Sequence, residues 1–531
     1  MEFEHISRIE QASRKGSGEI LRLGVALIYV IGTMLFAARV ADGENAIILA
    51  VAAVLGGYMA INIGANDVGN NIGPAVGARA LSLGVALAIA AVFEAAGALI
   101  AGGEVIGTMR TGIFDTAQIV DREALIWSML AALMGAGLFL NLATAFGAPV
   151  STTHAIVGAL LGAGVAAHGA HVVNWQVLVT VLVSWIVSPL IGGAVAAGFL
   201  YLIKRRILFQ VDMVGAAIRT VPYLLAAMSF AFSSYLLMQG RARLLEIDLV
   251  DALGIGLAAG VVTFFVARPL VVRRGRSIAN TRKSVNRLFT LPLIVAAALL
   301  SFAHGSNDVA NAVGPLSAIV VELTDGGAMR SAEAPVPFWT MLVGALGICV
   351  GLALFGPRIV RTIGSEITEL DQMRAFCVAM SAAVTVLIAS ALGLPVSSTH
   401  IAVGAVFGVG FLREYLVGNQ ARMIAGIKAH HPEADQEAIE AFIARFSAAG
   451  AMAKGEMLRE LKEQSRQQLD PANFSKSERR QLRQVYREEV VKRSQIRRIA
   501  SAWLITVPAS AMFGSVMFFA IRGMMLDLPT P

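Results

Sequence analysis

Four stretches of about twenty residues, Leu21–Ala38, Leu125–Ala145, Val177–Phe199 and Trp503–Ile521, are almost free of charge. A helix of that length spans about 30 Å of hydrocarbon. Inside a bilayer every backbone N–H and C=O must find a partner within the protein, which leaves only helices and closed barrels. The runs are continuous rather than alternating, which argues against a barrel. The chain is 56% hydrophobic and 15% charged, whereas soluble domains carry about 25% charged residues. Its 52 glycines suit close packing of helices in lipid. The expected fold class is an all-α polytopic membrane protein.

The first eighteen residues are polar and precede an apolar run longer than a signal-peptide core, so a retained first helix is expected. Cys349 and Cys377 both lie in apolar segments and read as small core residues, with no disulfide framework implied. The formal charge of +7 is concentrated in loops. Lys204–Arg206 and the group Arg268, Arg273, Arg274, Arg276, Arg282, Lys283 and Arg287 mark cytoplasmic loops, so the charge reports orientation and not nucleic-acid binding. With Arg8, Arg14 and Lys15 also inside, the sides alternate over nine crossings. The N-terminus is then cytoplasmic, the C-terminus outside, and the protein multi-pass in the cell (inner or plasma) membrane.

The expected organisation is a cytoplasmic segment 1–18, membrane helices 19–203 with the first repeat, and linker helices with basic loops 204–287. A second repeat follows at 288–412, then a charged cytoplasmic helical insertion 413–498 and a last membrane helix 499–531. Arg413–Arg498 holds 17 Lys and Arg against 12 Asp and Glu, and reads as a solvated helical appendage.

The repeats rest on two pairs of motifs. GANDVGNNIGP (Gly64–Pro74) and GSNDVANAVGP (Gly305–Pro315) match at seven of eleven positions, 241 residues apart. Their glycines and prolines predict breaks in two helices. Leu125–Ala167 and Met373–Leu412 (hairpins 125–167 and 373–412) each leave and return on one side if the alternation is to hold. Their kinked centres, APVSTTH (Ala148–His154) and LPVSSTH (Leu394–His400), match from the proline at ten of sixteen positions. Both read as re-entrant hairpins, one entering from each side. The two halves are therefore inverted repeats, and paired interruptions of this kind point to a transport site near the bilayer midplane.

A carboxylate inside a membrane is expensive, so Asp67 and Asp308 are candidate functional residues. A helix start offers free amides and the positive end of a dipole to an anion. Pro149 and Pro395 are expected to open such helices. That places the hydroxyls of Ser151, Thr152, Thr153, Ser397, Ser398 and Thr399 in the first turns, as donors to an oxyanion or as caps. His154 and His400 end the tips as hydrogen-bond partners, anion ligands or proton carriers. Asp67 and Asp308 would repel an anion unless compensated. A cation such as Na+ bound with Asn66, Asn70, Asn307 and Asn311 would serve, and so would a proton on the anion itself. Phosphate carries a P–OH near neutral pH and sulfate does not. Glu94 is a third membrane acid, with Ile348 as its counterpart in the second half.

These motifs resemble the inorganic phosphate transporter (PiT) family, whose signature is a duplicated G-x-N-D-V-A-N-A. The likeness covers Gly56–Gly164 and Phe289–Gly410, with Gly69 and Asn71 replacing the usual alanines. It implies phosphate transport coupled to Na+ or H+, with no cofactor and no enzymatic reaction. It implies phosphate contacts from Asn66, Asp67, Ser151, Thr152, Thr153, Asn307, Asp308, Ser397, Ser398 and Thr399. Cation coupling would fall to Asp67, Asn70, Asp308, Asn311 and Glu94, with Na+ held among the first four. A homodimer is the expected assembly, since large membrane carriers often pair. A sulfate permease on the same scaffold, a passive anion channel, and a receptor working through 413–498 stay open as alternatives. An ATP-driven pump is disfavoured, because the chain holds no G-x-x-x-x-G-K-[ST] loop.

Overall fold

A computed structural model describes residues 2–40, 45–115, 118–119, 121–145, 150–239, 247–324, 335–366, 371–417, 444–445, 457 and 493–525. The described residues are almost entirely helical, with one isolated antiparallel bridge between Phe114 and Val173. The helices are α1 (Glu2–Val40), α2 (Asn45–Gly77), α3 (Leu83–Ala101), α4 (Gly103–Gly107), α5 (Arg122–Ala145), α6 (Thr152–His168), α7 (Trp175–Ile203) and α8 (Met213–Met238). They continue with α9 (Leu249–Gly275), α10 (Arg282–Leu288), α11 (Thr290–Asp308), α12 (Ala310–Thr324), α13 (Phe338–Glu366), α14 (Gln372–Ala391), α15 (Ser398–Val417) and α16 (Arg493–Met525).

Among the described residues, eleven helical segments are long and apolar enough to cross a membrane. Nine coincide with the crossings expected from the sequence. The other two, Arg122–Thr144 and Gln372–Ala391, are the first arms of the two expected hairpins. The chain divides into two units, Met1–Val406 with Ile499–Pro531, and Phe407–Arg498. The expected insertion 413–498 lies almost wholly outside the described residues.

One expectation is corrected. The first Asn-Asp motif does not break its helix: α2 runs unbroken from Asn45 through Gly64–Pro74 to Gly77. The second is interrupted at the single residue Val309, whose N–H reaches Gly305 O at 3.4 Å. The motif glycines serve close approach instead. A Cβ on Gly64 would collide with the Ile348 carbonyl, and one on Gly305 with the Glu94 carbonyl. Tertiary packing overrides the weak helix propensity of Gly and Asn. Pro74 and Pro315 lie inside helices and deprive the Asn70 and Asn311 carbonyls of their helical donor.

Contacts between the halves come in matched pairs. Gly97 lies against the Phe302 carbonyl as Gly351 lies against that of Ile61, so α3 crosses α11 as α13 crosses α2. Gly158 of α6 packs on Val507 and Ser510 of α16, and Gly404 of α15 on Pro189 of α7. Small residues let these backbones meet where no hydrophobic driving force separates protein from lipid. Each hairpin arm packs on a motif helix, α5 on α2 and α12, and α14 on α11 and α2. That brings both tips to the motifs.

Candidate functional site

The chain turns after α14 through Gly393, in the left-handed region at φ 66°. Pro395 follows, its carbonyl accepting Trp185 Nε1–H at 2.8 Å. Pro395 therefore precedes the helix and does not open it. Ser397 caps α15, its Oγ accepting His400 N–H at 3.3 Å. Ser151 caps α6 by accepting His154 N–H at the same distance. A side-chain oxygen satisfying a first-turn amide is the usual N-cap arrangement. Ala148 and Pro149 lie outside the described residues.

With the two serines committed as caps, the hydroxyls behind them meet the acids in a crossed pattern. From the first tip, Thr152 Oγ1 donates to Asp67 Oδ2 at 2.8 Å, while Thr153 Oγ1 stands 3.1 Å from the Val396 carbonyl and 3.4 Å from Asp308 Oδ1, its one proton shared between them. From the second, Ser398 Oγ donates to Asp308 Oδ2 at 2.9 Å and Thr399 Oγ1 to Asp67 Oδ1 at 3.1 Å. Each carboxylate thus has one hydroxyl from each tip within hydrogen-bond reach. Both are buried, at 1% exposure.

The asparagines support this crossing. Asn70 Nδ2 donates to Thr399 Oγ1 at 2.8 Å and Asn311 Nδ2 to Thr153 Oγ1 at 3.1 Å. Asn66 Nδ2 donates to Asp67 Oδ1 at 3.1 Å and to the Val150 carbonyl at 3.3 Å. Asn307 clamps the second tip, donating to Leu394 O and Ser390 Oγ at 3.0 Å and accepting from Val396 N at 3.1 Å.

The sequence reading missed His304. It is fully buried; its Nε2 stands 2.8 Å from Asp308 Oδ2 and 3.8 Å from Asp67 Oδ2, and its Nδ1 3.4 Å from Glu94 Oε2. Glu94 also accepts from Asn71 Nδ2 at 2.8 Å. Asp67, His304 and Asp308 offer ligand atoms within 4.8 Å of one another. The i,i+4 spacing of His304 and Asp308 was the available signal. Repeat matching hid it, because the corresponding residue of the first half is Ile63.

His154 and His400 contact each other, ring centroids 4.4 Å apart, and His154 lies against Trp185 at 3.8 Å. They pack the two tips together. The two cysteines are free.

Chemically, three carboxylates and one imidazole share one buried cluster. Even a charged imidazolium leaves a formal surplus of two negative charges when all three acids are ionised. Such a cluster needs cations or protons. Two oxygens suit a hard cation: Asn311 Oδ1 and Asn71 Oδ1 accept no hydrogen bond among the described residues.

Residues 63–514 match the model of a family described as the phosphate transporter family. The chain belongs to that family. Among curated relatives, a protein of Helicobacter pylori strain J99 named "Putative phosphate permease" is 48% identical over 527 residues, covering 98% of this chain and 99% of its own. A Pyrococcus furiosus protein of the same description is 38% identical over 408 residues, 76% of this chain and 94% of its own. A solved structure titled "The sodium-dependent phosphate transporter" superposes with a TM-score of 0.73 at 30% identity, covering 90% of this chain and all of that one. Family and neighbour are transporters, not enzymes.

Proposed function

We propose that this chain carries inorganic phosphate across the cell membrane by cation-coupled symport, and that its four crossed hydroxyls are what couple anion to cation. A hydroxyl has one proton to donate. Thr152, Ser398 and Thr399 give theirs to Asp67 and Asp308, and Thr153 divides its own between Asp308 and the nearer Val396 carbonyl. To bind phosphate they must turn from the acids to the anion, joined by the amides at the starts of α6 and α15. The acids then lose their donors beside a new negative charge, and a cation or the phosphate's own proton must replace them. Anion without cation is a buried uncompensated charge, and cation without anion competes with the hydroxyls. That mutual dependence is symport.

Na+ is the favoured cation, on the strength of the sodium-dependent neighbour. Its ligands would be Asp67, Asp308, the side-chain oxygens of Asn70 and Asn311, and the carbonyls that Pro74 and Pro315 leave without a helical donor. Glu94 and His304 hold the remaining charge. In this reading the halves are inverted repeats with re-entrant tips, as the matched glycine contacts support. The N-terminus is cytoplasmic, the C-terminus outside, and alternating access rocks the bundle about the acids. The segment 413–498 is a cytoplasmic appendage, and the protein works as a homodimer.

The test is labelled-phosphate uptake into proteoliposomes with Na+ and proton gradients imposed separately. Uphill uptake should follow one gradient, sulfate should compete poorly, and Asp67→Asn or Asp308→Asn should abolish uptake while the protein still inserts. Near-normal concentrative uptake by both variants would overturn the proposal, and flux indifferent to both gradients would indicate a channel.

A further inference from the structure

On the faces that carry the motif asparagines, matching positions in the two halves differ in exposure. On α2, Tyr58, Asn62, Asn66 and Asn70 recur every fourth residue and so share a face. All four are half-buried. Along α11 and α12, 241 residues on, Leu299, Ala303, Asn307 and Asn311 are 5%, 0%, 1% and 0% exposed. The hairpin arms repeat the contrast. Asn141 and Thr144 of α5 are exposed, whereas Leu387 and Ser390, 246 residues on in α14, are buried. A third matched pair, Leu142 and Ile388, is exposed in both halves. The first half is therefore not simply looser; one particular face of it is open.

That face is also chemically distinct. Its residues form a connected polar file. Asn141 Nδ2 donates to Tyr58 OH, joining α5 to α2. Asn62 Nδ2 donates to Tyr58 O at 2.9 Å. One turn further, Asn66 reaches Asp67 and the first tip, and Asn70 reaches Thr399 of the second. Lipid is a poor cover for a row of amides at membrane depth, since it offers them no hydrogen-bond partner. The matched face of the second half presents Leu299, Ala303 and Leu387.

We propose that Tyr58, Asn62, Asn141 and Thr144 line the aqueous vestibule through which phosphate reaches the paired acids, and that Asn62 is a phosphate-positioning residue one turn outside the site. The inference rests on the phosphate-carrier reading. On the topology proposed above, this vestibule faces outward. The matched positions on the second-half side, Leu299, Ala303, Leu387 and Ser390, are buried in this structure, so the two sides are unequal. Amides along the open route can replace water around an oxyanion as it sheds its shell. Of the four buried second-half residues only Ser390 can donate a hydrogen bond from its side chain and none is an amide, so that side holds an anion less well.

The test uses the full chain with Cys349 and Cys377 replaced by alanine, since neither lies on the route. Asn62→Cys and Ala303→Cys are compared for reaction with a hydrophilic methanethiosulfonate in proteoliposomes, with Thr144→Cys and Ser390→Cys as a second pair should the first fold poorly. Without substrate, the first member of each pair should react roughly ten-fold faster or more, because a buried apolar thiol is both inaccessible and protonated. Inorganic phosphate should slow the reaction at Asn62→Cys. In transport, Asn62→Ala should raise KM for phosphate with the maximal rate retained, and Asn62→Gln should restore part of the affinity; a merely structural role would lower both parameters. Equal labelling within each pair, or no effect of any anion at Asn62→Cys, overturns the inference. Protection by sulfate and not by phosphate leaves the vestibule standing and removes the phosphate reading instead.

Discussion

Gly64 and Ile348 meet backbone to backbone, leaving no room for a Cβ on the glycine, and Gly305 meets Glu94 in the same way. Each Asn-Asp helix thus rests directly on the helix that carries the matched position of the other half. The neighbours are rigid backbone, not flexible side-chain tips. Gly64→Ala and Gly305→Ala should therefore each destabilise the protein by about 1–3 kcal/mol, as overpacking does. The check is the melting temperature of purified protein in detergent. Unchanged melting in both variants would show that the helices separate without penalty.

Because each carboxylate has a hydroxyl from each tip within hydrogen-bond reach, removing donors in pairs should separate binding from folding. Thr152→Val with Thr399→Val strips Asp67 of both hydroxyls. Thr153→Val with Ser398→Ala does the same to Asp308. Hydrogen bonds to charged groups contribute about 1.5–3 kcal/mol each. Phosphate KM should accordingly rise by roughly a hundred-fold or more in either double variant, with the cation dependence altered in parallel. A KM that stays within two-fold of wild type, measured by uptake at saturating cation, would rule out the hydroxyl exchange.

His304 lies between acids of both halves, 2.8 Å from Asp308 and 3.4 Å from Glu94. Removing one member of a buried charged group strands the rest, at about 3–5 kcal/mol. His304→Ala should show a loss of that order in denaturation, together with loss of uptake. Adding Glu94→Gln to His304→Ala should recover part of the stability, because one stranded charge is gone. A double variant less stable than the single would contradict the pairing.

At the start of α14, Asp371 Oδ1 caps the helix by accepting Arg374 N–H at 3.0 Å, and Oδ2 pairs with Arg374 Nη2 at 2.9 Å and Arg282 at 3.8 Å. Burial pushes its carboxyl up, yet the two arginines and the Arg374 amide outweigh burial and hold it below the usual carboxylate range. A group with a lowered folded value stabilises above its unfolded value, about 3.9, and loses that contribution as pH falls through the folded one. Asp371→Ala should cost about 1 kcal/mol at neutral pH. The difference from wild type should shrink below about pH 4, and detergent-phase melting across pH measures it. A gap that persists or widens there would contradict the assignment.

The sequence made the paired acids and the tip hydroxyls legible because they occur twice: Asp67 with Asp308, and Thr152–Thr153 with Ser398–Thr399. Repetition hid His304, which occurs once, and left the partners of Glu94 and Asn71 unassigned. Asn71, Glu94 and His304 stand where the other half has Ala312, Ile348 and Ile63, yet they meet in one cluster. A glycine has two physical uses, turning a backbone and admitting another, and the chain itself does not say which applies. The motif pattern predicts breaks at these glycines, and the packing uses them as contacts.

What the chain determined alone was local and periodic: apolar runs long enough to cross lipid, two copies of each motif, and hydroxyls placed just after a cap. Those properties depend on neighbours along the backbone. Which tip reaches which acid, that one histidine joins both halves, and which face of α2 is left open were decided by tertiary packing. They depend on residues hundreds of positions apart being pressed together, and only the assembled helices fix those distances.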